Sequence, residues 1–268
     1  MGTCKQYLVD SFAEDGYEGN PAAVCIVDSW PSEAQMQKIA LENNLSETAF
    51  CLCLKNDKFE PLFHIRWFTP GCEVDLCGHA TLATASILFK HYFNDAKVLH
   101  FKSRSGELHV RKTEDFVILM DFPAYSLEEV TDKAELNEVA AALGETGKKI
   151  ETLYKGIDYV AVLKNAEDVV EFKPDSGRIA SLPGVYNLLI TACGTGKYDF
   201  VSRCFFPKEA IDEDPVTGSA HCTLGPLWSK KLGKSQLTAY QASERGGILH
   251  LAVSADRVLI GGKVTEVG

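Results

Sequence analysis

Glu47 has a side chain that could transfer protons. It lies in a segment where a carboxylate with only a structural role is unexpected. A helical pattern frays at Asn43 and Asn44, and an uncharged segment predicted to be a buried strand begins at Thr48. A carboxylate with small and apolar neighbours is suited to proton transfer at neutral pH, because desolvation favours its neutral form. The alternative is that Glu47 caps the preceding helix or pairs with a surface lysine.

Two short segments have the composition of helix starts that bind ligands. Residues 77–80 are Cys-Gly-His-Ala and residues 217–220 are Thr-Gly-Ser-Ala. Gly78 and Gly218 would let backbone N–H groups approach a ligand closely, and the dipole of a following helix favours negative charge. We predict that the two starts bind a carboxylate or stabilise an enolate-like charge. The alternative is tight helix packing, for which small residues are equally suited.

His79 and Asp214 adjoin these two segments. In the first turn of a helix, the dipole should lower the pKa of His79 and keep it a neutral donor that can polarise a carbonyl. The alternative is a hydrogen-bonded core histidine. Asp214 could hold a substrate amine or hydroxyl, or it could cap the second helix.

No metal or cofactor is expected from motif spacing. Cys72, Cys77 and His79 are close in sequence, but no CxxC pair or HExxH pattern occurs. The glycine-rich segment 192–196 lies between two strand-like runs, which predicts a hairpin turn rather than a phosphate loop. No glycine fingerprint follows a first strand, so no dinucleotide cofactor is expected.

The elements that must position these residues occur twice. The pattern Phe-x-x-Arg-x-Phe-x-Pro occupies residues 63–70 and again residues 200–207, and each copy leads through an acidic residue, Asp75 or Asp214, to a glycine. A strand-turn-helix unit used twice predicts two similar halves with a ligand cleft between them.

Each half is expected to wrap a sheet around one helix. Residues 79–89 carry no charge, which is typical of a helix buried on all sides. A second central helix is predicted from Ser219, kinked or interrupted at Pro226, and Ser29 is expected to cap an earlier surface helix. The predicted fold is α/β (α+β), with two pseudo-symmetric halves at 1–121 and 122–268. Each is a curved, mostly antiparallel sheet around a central helix, and the last strand may pack on the first half.

Composition and charge exclude several classes of protein. The 268 residues are 46% hydrophobic and 24% charged, which allows a substantial core. The formal net charge of -10, without an extended basic stretch, argues against nucleic acid as a partner. No apolar run is long enough for a bilayer, so no membrane partner is expected. Nine cysteines and the lack of a signal-peptide pattern predict reduced thiols and a cytoplasmic location.

Four motifs, in this order, resemble the PhzF-like (phenazine biosynthesis-like) isomerase family. They are Gly-Asn-Pro-Ala-Ala-Val at 19–24, Ser-Glu-Thr-Ala-Phe at 46–50, Cys-Gly-His-Ala-Thr at 77–81 and Glu-Asp-Pro-Val-Thr-Gly-Ser-Ala at 213–220. The resemblance covers nearly the whole chain. It implies the diaminopimelate-epimerase-like fold, an active site between two related halves, cofactor-independent proton transfer and frequent homodimers.

The resemblance also assigns roles to individual residues. It implies that Glu47 is the acid/base residue, and that the substrate contacts are Asn20, Gly78, His79, Asp214, Gly218 and Ser219. Related epimerases and racemases use one thiol from each half. Cys77 matches the first of those positions, but residues 215–217 offer no second thiol, so a single carboxylate is expected to do the chemistry.

The function predicted from the sequence is a metal-free isomerase that moves a proton within a small carboxylate-bearing substrate. Glu47 would remove and return the proton, with His79 and Asp214 assisting. Two alternatives stay open. One is a cysteine-dependent epimerase, racemase or lyase that uses Cys77, and the other is a non-catalytic binding or regulatory protein on the isomerase fold.

Overall fold

The computed structural model describes residues 4–115, 117–184, 186–209 and 211–267. The chain divides into two compact units: unit 1 comprises residues 1–121 and 259–268, and unit 2 comprises residues 122–258. All nine cysteines are free thiols. Packing and hydrogen bonds, rather than disulfides, therefore stabilise both units.

The helices and strands follow one another in two series. The first series is β1 (Cys4–Ser11), β2 (Asn20–Val27), α1 (Glu33–Asn43), β3 (Glu47–Lys55), β4 (Leu62–Phe68), β5 (Glu73–Val74), α2 (Gly78–Ile87), β6 (Val98–Ser103), β7 (Gly106–Lys112) and β8 (Ile118–Pro123). The second is β9 (Glu128–Glu129), α3 (Lys133–Ala142), β10 (Ile150–Lys155), β11 (Tyr159–Leu163), α4 (Ala166–Val170), α5 (Ser176–Ala180), β12 (Leu188–Cys193), β13 (Phe200–Phe205), α6 (His221–Leu232), β14 (Gln236–Gln241), β15 (Gly247–Ser254), β16 (Arg257–Gly262) and β17 (Val264–Val267).

Unit 1 consists of antiparallel hairpins joined side by side by parallel contacts. The hairpins are β1–β2, β3–β4 and β6–β7, and the parallel contacts are β2–β3 and β4–β6. Each parallel contact requires a crossover, which α1 and α2 supply. The last strand, β17, returns to pair with β1 in antiparallel register.

Unit 2 repeats this plan by itself. Its hairpins are β10–β11, β12–β13 and β14–β15, and its parallel contacts are β11–β12 and β13–β14. The short helices α4 and α5 make the first crossover, and α6 makes the second. The predicted fold class is confirmed: each unit is a mostly antiparallel sheet with a central crossover helix. The segment 192–196 lies in the β12–β13 hairpin, as its flanking strand patterns predicted.

The N-cap of helix α1 lies three residues after the expected cap at Ser29. Ser32 is the N-cap, and it forms a capping box in which its Oγ accepts from the Gln35 N–H while the Gln35 side chain accepts from the Ser32 N–H. This reciprocal pair satisfies two N–H groups of the first turn, which Ser29 could not do from outside it. Met36 and Ala40 then bury the inner face of α1 against Phe50.

Helix α2 is buried on every side, as its uncharged sequence predicted. All residues from 79 to 87 are buried. The hydroxyls of Thr81 and Thr84 donate to the carbonyls of Cys77 and Ala80 at 2.6 and 2.7 Å, so the helix itself satisfies these polar groups within the core.

Helix α6 starts later than the predicted start at Ser219. Residues 218–220 form a turn, and the N–H groups of His221 and Cys222 donate to the carbonyls of Gly218 and Ser219 at 3.0 Å each. These three-residue spacings are those of a 3₁₀ turn, so α-helical geometry begins only at His221.

Pro226 lies inside α6 without interrupting it. A proline cannot donate to the carbonyl four residues earlier, which leaves the Cys222 carbonyl without its helical donor. The N–H of Tyr125 donates to that carbonyl at 2.9 Å. The expected kink or break is therefore not needed to satisfy the backbone.

The repeated strand-turn-helix segment is visible in both units as an arginine-glutamate pair. Arg66 on β4 donates to Glu73 at 2.7 and 2.6 Å, and Arg203 on β13 donates to Glu213 at 2.7 and 2.8 Å. The arginines are 137 residues apart and the glutamates 140. The three extra residues of the second copy therefore fall between Pro207 and Glu213.

Among the described residues, no helix combines the length and the apolar character that crossing a bilayer requires.

Candidate functional site

In unit 1, the β2–β3 contact places Glu47 at the start of a buried strand. Glu47 is the first residue of β3 and lies opposite Ala22 in the parallel register. Just before it, Asn44 caps α1 in the left-handed conformation with φ 49° and ψ 39°. This cap turns the chain from the helix into the strand, so the position of Glu47 is fixed by two regular elements.

His79 lies next to Glu47, in the first turn of α2. Its Nε2 is 3.3 Å from Oε2 of Glu47, and its Nδ1 is 3.6 Å from Sγ of Cys77. The side chains of Glu47 and His79 are 15% and 9% exposed. The imidazole therefore lies between a carboxylate and a thiol in a largely desolvated site.

Burial lowers the pKa of His79 to about 4, while a hydrogen bond with the Pro21 carbonyl acts in the opposite direction. The lowered pKa is in the direction that the sequence predicted, but its main cause is desolvation rather than the helix dipole. At neutral pH the ring is uncharged, so its contact with Glu47 is not an ion pair.

The main chain around His79 is held by neighbouring elements. Oγ of Ser11, the last residue of β1, donates to the His79 carbonyl at 2.8 Å. Cys77 is the N-cap of α2, in an extended conformation, and its side chain makes no capping hydrogen bond. The first N–H groups of α2, beginning at Gly78, are thus not capped by the side chain that usually serves this purpose.

Asn20 belongs to the same region of unit 1. It is the first residue of β2, is fully buried, and lies opposite Ser11 in the β1–β2 register. Four of the residues predicted for the site, Asn20, Glu47, Gly78 and His79, therefore lie on neighbouring elements of one unit.

The remaining predicted residues belong to a turn of unit 2. Asp214 Oδ2 accepts from the Thr217 hydroxyl at 2.5 Å, which closes the turn as a side-chain cap would. Gly218 is buried, yet a Cβ added to it would have no atom within 4 Å. Ser219 is exposed. The turn thus combines a carboxylate with open space at a glycine.

Gln241, which sequence reasoning missed, holds this turn from β14. Its Nε2 donates to the Asp214 carbonyl at 2.8 Å and to Thr217 Oγ1 at 3.1 Å, and its Oε1 accepts from the Thr217 N–H at 2.9 Å. Gln241 is fully buried. No local pattern marks a glutamine at a strand end as a structural clamp, so only the fold reveals it.

The acidic residues of the two repeats, Asp75 and Asp214, are not equivalent, which corrects the sequence comparison. Once the paired Glu73 and Glu213 are matched, Pro215 takes the place of Asp75. The Asp75 side chain is 76% exposed and lies 3.9 Å from Arg104. The three-residue insertion between Pro207 and Glu213 shifts the second copy, so Asp75 and Asp214 fall one position out of register.

Unit 2 has an amide where unit 1 has the Glu47 carboxylate. Thr48 pairs with Phe68 in unit 1 and Leu188 pairs with the equivalent Phe205 in unit 2, so Asn187 takes the place of Glu47. Asn187 Nδ2 donates to Glu209 at 3.0 Å. The amide of Asn187 neither gains nor loses a proton near neutral pH. Of these two equivalent positions, only Glu47 can therefore serve as an acid or base.

A family profile, a sequence relative and a solved structure all relate this chain to the same group of proteins. A sequence profile described as phenazine biosynthesis-like protein (PhzC-PhzF) matches residues 9–267. An uncharacterized isomerase of Pseudomonas aeruginosa is 45% identical over 258 residues, covering 96% of this chain and 94% of that protein. A crystal structure of a PhzF-family phenazine biosynthesis protein from Enterococcus faecalis has a TM-score of 0.89 at 47% identity, covering 100% of this chain and 98% of that one.

The fold extends to more distant enzymes. A hydroxyproline epimerase from Agrobacterium vitis, crystallised with trans-4-hydroxy-L-proline, has a TM-score of 0.55 at 9% identity, covering 99% of this chain and 91% of that one. At that identity the similarity shows the fold alone. It is the epimerase-like fold that the four motifs implied.

Proposed function

This chain belongs to the phenazine biosynthesis-like protein family, and from that premise we propose that it is a cofactor-independent isomerase with Glu47 as its acid/base residue. An isomerase or epimerase activity is supported by the relatives named above. One observation carries the assignment to Glu47: its carboxylate lies 3.3 Å from the buried imidazole of His79, at the start of helix α2.

The proposed reaction moves a proton between two carbons of a small carboxylate-bearing substrate. The Glu47 carboxylate removes a proton from an activated carbon, and the electron pair left behind is delocalised into the substrate. The carboxylic acid so formed at Glu47 then returns the proton to a second carbon. One group that both removes and returns a proton favours isomerisation on one face of the substrate.

His79 is proposed to assist Glu47 without taking its proton. A neutral imidazole nitrogen can accept a hydrogen bond from protonated Glu47 or donate one to a substrate oxygen. The N–H groups at the start of α2 would stabilise negative charge that develops on the substrate. Asp214, Gly218 and Ser219 stay predictions as substrate contacts. In their support, the turn they form is held by Gln241 and leaves open space at Gly218.

The test measures deuterium exchange from solvent. Purified protein is incubated in D₂O with a panel of small carboxylates that carry an acidic C–H next to the carboxylate or an alkene, and incorporation is followed by NMR. Glu47→Gln should reduce exchange by roughly 10²–10⁴-fold, the usual contribution of a general base. Glu47→Asp, which keeps a carboxylate on a shorter side chain, should retain more exchange than Glu47→Gln.

Variants of Cys77 distinguish the cysteine-dependent alternative. The single-carboxylate proposal expects Cys77→Ser to keep most of the exchange activity, whereas a thiol base would lose it. Full exchange in Glu47→Gln would contradict the proposal.

The resemblance also predicts a homodimer. Light scattering of the purified protein would then give twice the 29.4 kDa mass of one chain.

A further inference from the structure

Glu47, Cys77 and His79 bring three different metal-ligating groups together in unit 1. One ligand atom from each lies within 4.8 Å of the other two. Cys77 and His79 are close in sequence at the start of α2, but Glu47 lies on strand β3, about thirty residues earlier in the chain. Motif spacing therefore predicted no metal site, because the third ligand arrives only through the β2–β3 contact and the packing of α2.

The spacing of Oε2 of Glu47 and Nε2 of His79 fits a cation between those two atoms. The Cys77 thiol lies 3.6 Å from the other ring nitrogen, Nδ1, and is near enough to reach the ion by rotation of its side chain. A carboxylate oxygen and an imidazole nitrogen that each lie about 2.0–2.2 Å from a tetrahedral ion are a little over 3 Å apart, and Oε2 of Glu47 is 3.3 Å from Nε2 of His79. This Nε2 is buried and makes no hydrogen bond with the described residues. When Nδ1 carries the ring hydrogen, the lone pair of His79 Nε2 faces the carboxylate oxygen of Glu47. A cation bound between these two acceptors removes their mutual repulsion.

We propose that Glu47, Cys77 and His79 form a binding site for a divalent cation of the Zn²⁺ class. The donor set selects the ion: thiolate and imidazole favour Zn²⁺ and Co²⁺, whereas Mg²⁺ and Ca²⁺ prefer oxygen ligands. Three protein ligands leave the fourth tetrahedral position open for water or a ligand.

Regular elements fix the backbone positions of the three ligands. Cys77 is the N-cap of α2, His79 lies in its first turn, and Glu47 begins β3. The Ser11 hydroxyl holds the His79 carbonyl, and Pro21 is hydrogen-bonded to the His79 ring. A backbone partner of this kind orients ligand histidines in metal sites. Glu47 and His79 also remain 15% and 9% exposed, so an ion can reach them without unfolding of the chain.

Occupancy would have a functional consequence, and this part rests on the proposed function. A carboxylate that ligates a cation cannot remove a proton from a substrate. Zn²⁺ should therefore inhibit the isomerase, and a chelator should restore activity. Metal binding itself does not depend on the isomerase proposal, so it is measured without any substrate.

The experiment uses CoCl₂ and ZnCl₂ on the purified full-length chain. Co²⁺ bound to a thiolate gives a near-ultraviolet charge-transfer band, and we expect this band to saturate at one ion per chain. Cys77→Ser should abolish the band. Glu47→Gln and His79→Asn should weaken Zn²⁺ binding in calorimetry by at least the roughly 10–100-fold that loss of an outer-shell partner costs.

Two substitutions elsewhere in unit 1 serve as matched controls. Cys53→Ser removes an exposed thiol from β3 and should leave the band unchanged. His109→Asn breaks the exposed pair in which Nδ1 of His100 and Nδ1 of His109 lie 2.8 Å apart, and so removes a second possible place for Zn²⁺. Thermal unfolding of each variant shows whether it is folded.

A measurement on the unmodified protein covers the case in which Cys77→Ser does not fold. Zn²⁺ should slow the alkylation of Cys77 by iodoacetamide, read by mass spectrometry, while the alkylation of Cys53 continues. The proposal is overturned if the folded protein gives no thiolate band, if the band survives in Cys77→Ser, or if Zn²⁺ leaves the alkylation of Cys77 unchanged. Failure of the isomerase test alone would not change these outcomes.

Discussion

Arg203 and Glu213 form a bidentate ion pair in which the side chains are only 9% and 18% exposed. The pair joins strand β13 to the segment that leads to Asp214. A third nitrogen of Arg203, Nη1, is directed at the backbone carbonyls around the end of α4, including Phe172. One guanidinium thus links a strand, a turn and a helix end, and its planar fork suits this arrangement better than a lysine would.

Glu213→Gln should destabilise the protein by about 3 kcal/mol, because it leaves the guanidinium of Arg203 largely buried without its counter-ion. Urea unfolding, followed by fluorescence, measures the change in free energy. Glu145→Gln is the control, since Glu145 and its partner Lys148 are 87% and 73% exposed. Breaking that surface pair should change stability by less than about 1 kcal/mol. If Glu213→Gln and Glu145→Gln lost equal amounts of free energy of unfolding, burial would not explain the contribution of the Arg203–Glu213 pair.

Thr191 and Ser202 lie opposite each other on β12 and β13. Loss of the hydroxyl should lower the stability of the protein at Thr191 but not at Ser202. Thr191 Oγ1 donates to the Val201 carbonyl at 2.7 Å and accepts from Nε1 of Trp228 at 2.9 Å. Thr191→Val leaves the buried indole N–H unpaired and should cost about 1–3 kcal/mol.

Ser202→Ala is expected to leave stability unchanged or to raise it. Its Oγ is buried and makes no hydrogen bond within the described part of the chain, so removing it leaves no partner unsatisfied. The two variants are compared by their urea midpoints at the same slope. A loss in Ser202→Ala as large as that in Thr191→Val would show that the serine has a bound partner such as water.

Gly218→Ala should separate binding from folding. A Cβ at Gly218 meets no atom within 4 Å, so stability should change by less than about 1 kcal/mol. The added methyl group enters the space where a substrate is proposed to bind, so KM should rise more than kcat falls.

Gly261→Ala is the contrasting variant for this experiment. A Cβ there would lie 1.7 Å from the Ile118 carbonyl oxygen, which forces the backbone to move. This substitution should lower the melting temperature strongly. If Gly218→Ala unfolds the protein to a similar extent, the space at Gly218 belongs to packing rather than to a ligand.

His221 makes stability depend on pH on the acid side. Burial lowers its pKa to about 4 from the ordinary value of 6.5. Between these two values the unfolded chain binds a proton that the folded chain does not, so stability falls as pH drops from 6.5 towards 4 and is constant with respect to this group above about 7. The full effect is roughly 3 kcal/mol.

His221→Asn should remove this part of the acid sensitivity. An asparagine amide can still donate to the Thr217 carbonyl, which His221 Nδ1 contacts at 2.8 Å. The free energy of unfolding is measured in urea at intervals from pH 7 to pH 4. The slope of the variant should be smaller than that of the unmodified protein, while His79, whose pKa is lowered in the same way, continues to contribute. Identical slopes would show that His221 takes no part.

Much of the fold could be predicted because it depends on local patterns. The uncharged run of residues 79–89 requires a buried helix, whatever surrounds it, because no face of it can meet water favourably. The duplicated Phe-x-x-Arg-x-Phe-x-Pro pattern predicted a repeated unit. In each copy, the arginine is fixed by a downstream glutamate. The cap at Ser32 and the late start of α6 were missed, because several nearby residues could each begin a helix.

The amino-acid sequence specifies which residue types are available for chemistry: one carboxylate before an uncharged strand, a histidine after a glycine, and an acidic residue before a second glycine. Which of these residues come into contact depends on the folded chain. Glu47 reaches His79 because β2 and β3 pair in parallel beside α2, and Gln241 fixes the Asp214 turn from a later strand. Contacts between residues far apart in sequence depend on strand register and helix packing. No local pattern encodes these, because they follow from how the whole chain buries its apolar surface.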